Sequence, residues 1–162
     1  MNNKWFRIGM AGVFLLSLAL RFWGLGRFNT FVFDEVYYAK FGNNYLTHTA
    51  FFDGHPPLGK YMIGLGIWIG SHIPFWQDEV NGFTGSVMSP ITYRWMNAFS
   101  GSFIPIIVAA IAYQISYRRS FALLAGLFTA CDGIFLVESR YALINQYIII
   151  FGLLGQWFLL LA

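Results

Sequence analysis

An all-α integral membrane protein is the fold class this chain predicts, and three observations predict it: the composition, the length of the apolar runs, and the placement of the cationic residues. Of 162 residues, 57% are hydrophobic, 20% aromatic and only 10% charged. A soluble domain of this size would lack the polar surface to cover such a core, whereas a bilayer accepts apolar surface directly. The net charge of +3 is dispersed, with no basic run to track a polynucleotide, so nucleic acid is not an expected partner. One cysteine, Cys131, cannot form an internal disulfide, and its apolar surroundings predict a small buried hydrophobe.

The first span is expected at about 5–25. Lys4 and Arg7 precede its apolar stretch without a small-x-small cleavage site, which reads as an uncleaved anchor. Only thirteen residues separate Arg7 from Arg21, so both arginines are expected to snorkel, with Trp5 and Trp23 at the interfaces. The next apolar stretch, Tyr61 to Phe75, is short and glycine-rich and is interrupted by Ser71, His72 and Pro74. It is too short to cross a hydrocarbon core of about 30 Å. Further spans are expected at 93–117, 120–138 and 146–162.

Charge decides the topology. If Tyr61 to Phe75 crossed, Arg118 and Arg119 would lie opposite Lys4 and Arg7, against the positive-inside rule. If it lies in the interface, as a helix at about 58–75, all four cations share the cytoplasmic side. Residues 26–92 then form one long outer loop carrying Asp34, Glu35, Asp53, His55 and Lys60. Arg94 opens the next helix at the same surface, and Glu138-Ser139-Arg140 returns to it.

Ionisable groups beside hydrocarbon are expensive, so Asp34-Glu35 followed by His55-Pro-Pro-Leu-Gly-Lys60 points to a functional site at the membrane boundary. Adjacent residues of a helix point about 100° apart, so the two acids cannot serve one atom equivalently. A helix cap is the structural alternative for Asp34. Pro56 and Pro57 fix an extended turn, after which Leu58 is expected to open the interfacial helix. His55 is read either as a ligand to substrate or as a hydrogen-bonding group within the turn, and Asp53 carries the same ambiguity. A metal held by Asp34, Glu35 and His55 has suitable ligand types but no ligand spacing, and no metal or other cofactor is expected.

Four blocks in order, FDEVYYAKF (Phe33 to Phe41), FFDGHPPLGKYMIGL (Phe51 to Leu65), YRWMNAFSGSFIP (Tyr93 to Pro105) and ESRYALINQYIIIFGLLG (Glu138 to Gly155), resemble the protein O-mannosyltransferases. These use dolichyl- or polyprenyl-phosphate mannose. The resemblance implies the N-terminal portion of a C-type glycosyltransferase (GT-C) fold, with a long first outer loop bearing juxtamembrane helices. It implies mannose transfer to Ser or Thr of an acceptor protein, with Asp34 as general base and Glu35 holding the acceptor backbone or neighbouring donors. A phosphate leaving group calls for a cation. Arg94, in the block Arg94-x-x-Asn97-Ala98, is the first candidate; Lys60 and Arg140 are alternatives that snorkelling would also explain. His55 is the further candidate for substrate binding. Where the family carries an aspartate, this chain has Asn145.

The remaining features read as structure. Asp132, inside an apolar run, is expected to pair with Arg140 or Arg94. Gly64, Gly66 and Gly70 suggest close helix packing. Tyr37, Tyr38, Tyr45, Phe51 and Phe52 suit an interface with or without a ligand, and His48 and His72 show no partner pattern. The stretch from Gln77 to Pro90 reads as a solvated loop. The chain is expected to be the N-terminal part of a longer protein. By resemblance it belongs in a bacterial plasma membrane with its site outward, or in the endoplasmic reticulum membrane if eukaryotic. A related transferase acting on lipid or glycan, a transporter module and a non-catalytic assembly subunit are the other readings; the sequence does not define the oligomeric state.

Overall fold

The computed structural model describes residues 3–76, 80 and 87–162. It is all-helical, with α1 Asn3–Phe22, α2 Glu35–Leu46, α3 Pro57–Ser71, α4 Pro90–Gly101, α5 Ile104–Ser116, α6 Arg119–Cys131, α7 Gly133–Arg140 and α8 Asn145–Leu161. One isolated antiparallel bridge joins Val80 to Val87. Asp78, Glu79 and most of the expected solvated loop lie outside the described residues.

Among the described residues, two helical runs are long and apolar enough to cross a membrane: α1, and α4 with α5 as one run over Pro90–Ser116. The pair α6 and α7 makes a third if counted as one span, but it bends by 55°. The expected span at 120–138 is therefore broken at Asp132. The reason is local: Asp132 is extended (φ −66°, ψ 128°) and its side chain accepts from the Phe135 amide, capping α7. This corrects the expected pairing of Asp132, because Arg94 pairs instead with Glu35 and Arg140 donates to the Trp23 carbonyl.

Two further expectations are corrected. Arg21 does not snorkel; it is fully buried and donates to Ser17 Oγ at 2.6 Å, since this end of α1 is enclosed by its neighbours. Cys131, the last residue of α6, is exposed on the outside of the bundle. The loop helix α3 begins at Pro57 rather than Leu58, where a missing N–H is harmless, and ends at Ser71, ahead of Pro74. Its 15 residues give about 22 Å of rise, short of a hydrocarbon core.

Helix α3 packs between α2 and α4, and α5 packs against α6 and α8. At the α2–α3 crossing, a Cβ at Gly64 would sit 2.9 Å from the Gly42 carbonyl oxygen, so both backbones approach through glycine. Gly66 and Gly70, one turn apart, face Met96 and Thr92 of α4. The core beside the loop contains Tyr38, Ile63, Ile67, Tyr93, Leu143 and Ile144. A second cluster, Ile104, Ile107 and Ile150, joins α5 to α8.

Candidate active site around Asp34

The Asp34-Glu35 pair stands where the chain leaves α1 and enters α2, and the structure gives the two acids opposite surroundings. Glu35 is fully buried. Its Oε1 accepts from Arg94 Nε at 2.8 Å and from the Ala142 amide at 2.9 Å. Its Oε2 accepts from Arg94 Nη2 at 2.7 Å and from the Val32 amide at 3.0 Å. Arg94, itself buried, spends its remaining donors on the carbonyls of Leu25 (3.1 Å), Phe28 (2.8 Å) and Thr30 (2.8 Å). All five guanidinium N–H groups are thereby engaged. The rings of Tyr93 and Tyr141 flank the guanidinium, with centroids 5.2 and 5.1 Å away. A buried ion pair is tolerated only when fully hydrogen-bonded, and this one is.

One turn further along α4, Asn97 donates to the carbonyls of Tyr141 and Leu143, both at 2.7 Å, and accepts from the Tyr147 hydroxyl at 2.8 Å. The Arg-x-x-Asn block thus grips two connectors: residues 25–30 through Arg94, and residues 141–143 through Asn97. In this conformation Arg94, expected at a phosphate, presents no free donor.

Asp34 is different. It occupies the N-cap position of α2 but its carboxylate makes no capping hydrogen bond, and the residue is half-buried. The backbone at its carbonyl is held by the Tyr37 and Tyr38 amides at 2.9 and 3.1 Å. The result is an anchored residue with an uncommitted carboxylate. Its electrostatic neighbourhood is recorded by Tyr38, whose phenol is pushed up by burial and then by the charges of Asp34, Asp53 and Glu138. The charges of three carboxylates from three segments thus act on one phenol. Glu138 accepts from Asn145 Nδ2 at 3.3 Å, at the entrance of α8. In the sequence, Tyr38 reads as one of several interfacial aromatics, and Glu138 is marked only by its position in the fourth block.

The His-Pro-Pro-Leu-Gly-Lys turn is a bracket closed on itself. Lys60, buried, donates to Asp53 Oδ2 and, at 2.9 Å, to the His55 carbonyl. His55 Nδ1 lies 2.9 Å from Asp53 Oδ1. Partial burial pushes the Asp53 carboxyl up, but the hydrogen bonds from Lys60 and His55 outweigh it and bring its pKa down to about 2. The His55 side chain is 58% exposed, and its ring meets Tyr38 edge-on at 5.8 Å, which joins the bracket to the Asp34 region. Arg140 uses one terminal nitrogen on Trp23 O at 2.7 Å and is half-buried.

Two cavities of about 470 Å³ flank this turn. One is polar and aromatic, between Tyr45, His48, Phe51 and Lys60. The other is almost wholly apolar, between Leu58, Ile144, Ile148 and Phe151. Among the described residues, no group of three His, Cys, Asp or Glu side chains is placed to hold a metal ion.

The family model for dolichyl-phosphate-mannose-protein mannosyltransferase matches residues 11–162. The chain is 34% identical over 140 residues to dolichyl-phosphate-mannose–protein mannosyltransferase 4 of Saccharomyces cerevisiae, covering 85% of the chain and 18% of that protein. It is 30% identical over 144 residues to protein O-mannosyltransferase 1 of Drosophila pseudoobscura pseudoobscura, covering 88% and 16%. Protein O-mannosyl-transferase 2 of Drosophila melanogaster is 28% identical over 162 residues, covering 96% and 20%. The chain spans about a fifth or less of the length of these curated relatives. No solved structure matches it.

Proposed function

We propose, since the chain belongs to the dolichyl-phosphate-mannose-protein mannosyltransferase family, that it carries the acceptor-activating half of an enzyme that moves mannose from a polyprenyl or dolichyl phosphate to Ser or Thr of a protein. The observation that carries the assignment is the contrast within the acid pair: Glu35 is saturated, and Asp34 is held by its backbone with its carboxylate uncommitted. In the reaction, the Asp34 carboxylate takes the proton of the acceptor hydroxyl as that oxygen bonds to C1 of the mannose. The C1–O bond to phosphate breaks on the opposite face, inverting the centre, and the polyprenyl phosphate leaves with the electron pair.

In this reading Glu35 and Arg94 position the loop that bears Asp34 and touch neither substrate. The cation opposite the phosphate is Arg140, which has donors left after its bond to Trp23, assisted by the exposed ring of His55. Lys60 is occupied in holding Asp53 and contributes rigidity. The GT-C assignment draws support from an all-helical bundle in which α2 and α3 sit in the segment between the first two crossing runs.

The orientation draws support from a ring contact. Phe6 of α1 meets Tyr113 of α5 at 5.8 Å, which sets Lys4 and Arg7 at the same end of the bundle as Arg118 and Arg119. By the positive-inside rule that end is cytoplasmic, and Asp34 faces the other side. The test is transfer from radiolabelled polyprenyl-phosphate mannose to a Ser/Thr peptide by membranes holding the full-length protein. Labelled peptide that releases mannose on β-elimination is expected; no incorporation above membranes lacking the protein would reject the reading.

A further inference from the structure

Phe33 is a bulky residue at a position that favours glycine. Residues Val32 to Glu35 form a turn closed by the Glu35 amide on the Val32 carbonyl at 3.1 Å. Phe33 occupies its first central position with φ +54°, and Asp34 its second with φ −71° and ψ −2°. A positive φ at the first central residue, followed by these angles, is the signature of a turn that ordinarily takes glycine there. A left-handed conformation costs an L-residue about 1–2 kcal/mol, and such strain persists only where the surroundings over-determine it. Here they do. Glu35 Oε2 also holds the Val32 amide, and Arg94 holds the carbonyls of Phe28 and Thr30 on the approach to the turn. The residue is 78% exposed, whereas Phe31, two residues earlier, packs on Tyr93 at 5.2 Å.

A clamp that enforces a strained turn and displays an unburied phenyl group beside the uncommitted carboxylate points to a ligand surface. We propose that Phe33 is an acceptor-positioning residue: its ring is the apolar ledge against which the acceptor polypeptide packs while its hydroxyl reaches Asp34. This rests on the function proposed above and deepens it. The acceptor is the substrate concerned because an inverting displacement puts the attacking hydroxyl and its base on one side of C1 and the phosphate on the other. A residue adjoining the base therefore lies on the acceptor side.

The test uses the full-length protein with separate titrations of polyprenyl-phosphate mannose and a Ser/Thr peptide. Gly and Asn both adopt positive φ readily, so Phe33→Gly and Phe33→Asn preserve the turn and remove the ring. Both are expected to lower kcat/KM for the peptide by about tenfold or more, the loss that an unmade aromatic contact entails. The KM for the donor should stay within about twofold of wild type, and the melting temperature within a degree or two. Phe33→Tyr should recover most of the peptide kcat/KM. Unchanged peptide kinetics in both turn-preserving variants would overturn the proposal, and so would equal losses for donor and peptide or a fall in melting temperature that accounts for the loss. If wild-type protein transfers no mannose, the functional reading itself fails; if wild type transfers and the variants match it, only the role of Phe33 does.

Discussion

At the scale of single residues, burial separates two acids that are neighbours in sequence. Asp34→Asn is expected to lower mannose transfer by about 10²–10⁴-fold while donor affinity stays near wild type, because a lost general base removes no donor contact. Turnover and donor binding measured on one preparation check this, and near-normal turnover would reject Asp34 as the base. Glu35→Gln or Arg94→Ala acts differently, leaving one member of a buried pair uncompensated at a penalty of about 3–5 kcal/mol. Loss of folded protein in detergent, read by thermal melting, is the expected result. Arg94→Lys should not restore it, since an ammonium cannot reproduce five planar donors. Arg94→Ala protein that melts like wild type and merely binds donor weakly would return Arg94 to the phosphate. The bracket around Asp53 carries a pH signature. Its pKa falls from 3.8 to about 2 on folding, so its contribution to stability is fully present above pH 4 and is lost as pH drops through 2. Amide exchange across residues 53–60, corrected for its intrinsic pH dependence, should speed up in that window and not between pH 5 and 8. In Asp53→Asn the amides should be fast throughout.

At the scale of elements, α3 is fastened to its neighbours through absent side chains rather than through large ones. Gly64 meets the Gly42 carbonyl with no room for a methyl group, and both partners are backbone atoms that cannot swing away. Gly64→Ala is therefore expected to destabilise the protein by about 1–3 kcal/mol, seen as a lower melting temperature. Gly152→Ala, where nothing lies within 4 Å, is the matched control and should be neutral. The α6–α7 break, by contrast, is not anticipated by sequence periodicity. A continuous apolar run suggested one span, but Asp132-Gly133 offers a side-chain cap and a small residue at one point, and the local hydrogen bond to Phe135 prevails over helix continuation. The bend turns α7 and the 141–144 connector back onto Glu35 and Asn97, so it is part of how the site is assembled.

At the scale of the whole molecule, the polar functional groups gather at one end of an apolar bundle and the cationic pairs at the other. In a Cys131→Ser background, cysteines placed at Phe52 and Tyr117 should react with a membrane-impermeant reagent from opposite sides of sealed vesicles. Both sites are well exposed, at 94% and 77%, so labelling of both from one side would overturn the orientation. The replacement of Cys131 is required because that thiol is itself exposed.

Membrane character, the apolar runs that become α1 and α4–α5, and the loop helix are legible in the linear order, and the acid pair with the His-Pro-Pro turn is marked there as a candidate site. Each depends on composition, local periodicity or backbone restriction, which act over a few residues. The division of labour within that site was not legible. Glu35 and Arg94 are 59 positions apart, and the carbonyls that complete the guanidinium shell come from a connector with no distinguishing side-chain pattern. The sequence determined which ionisable groups the candidate site has to draw on. Only the tertiary structure decided which of them are already spent, because a hydrogen bond between distant segments depends on how the helices pack and leaves no periodic trace in the chain.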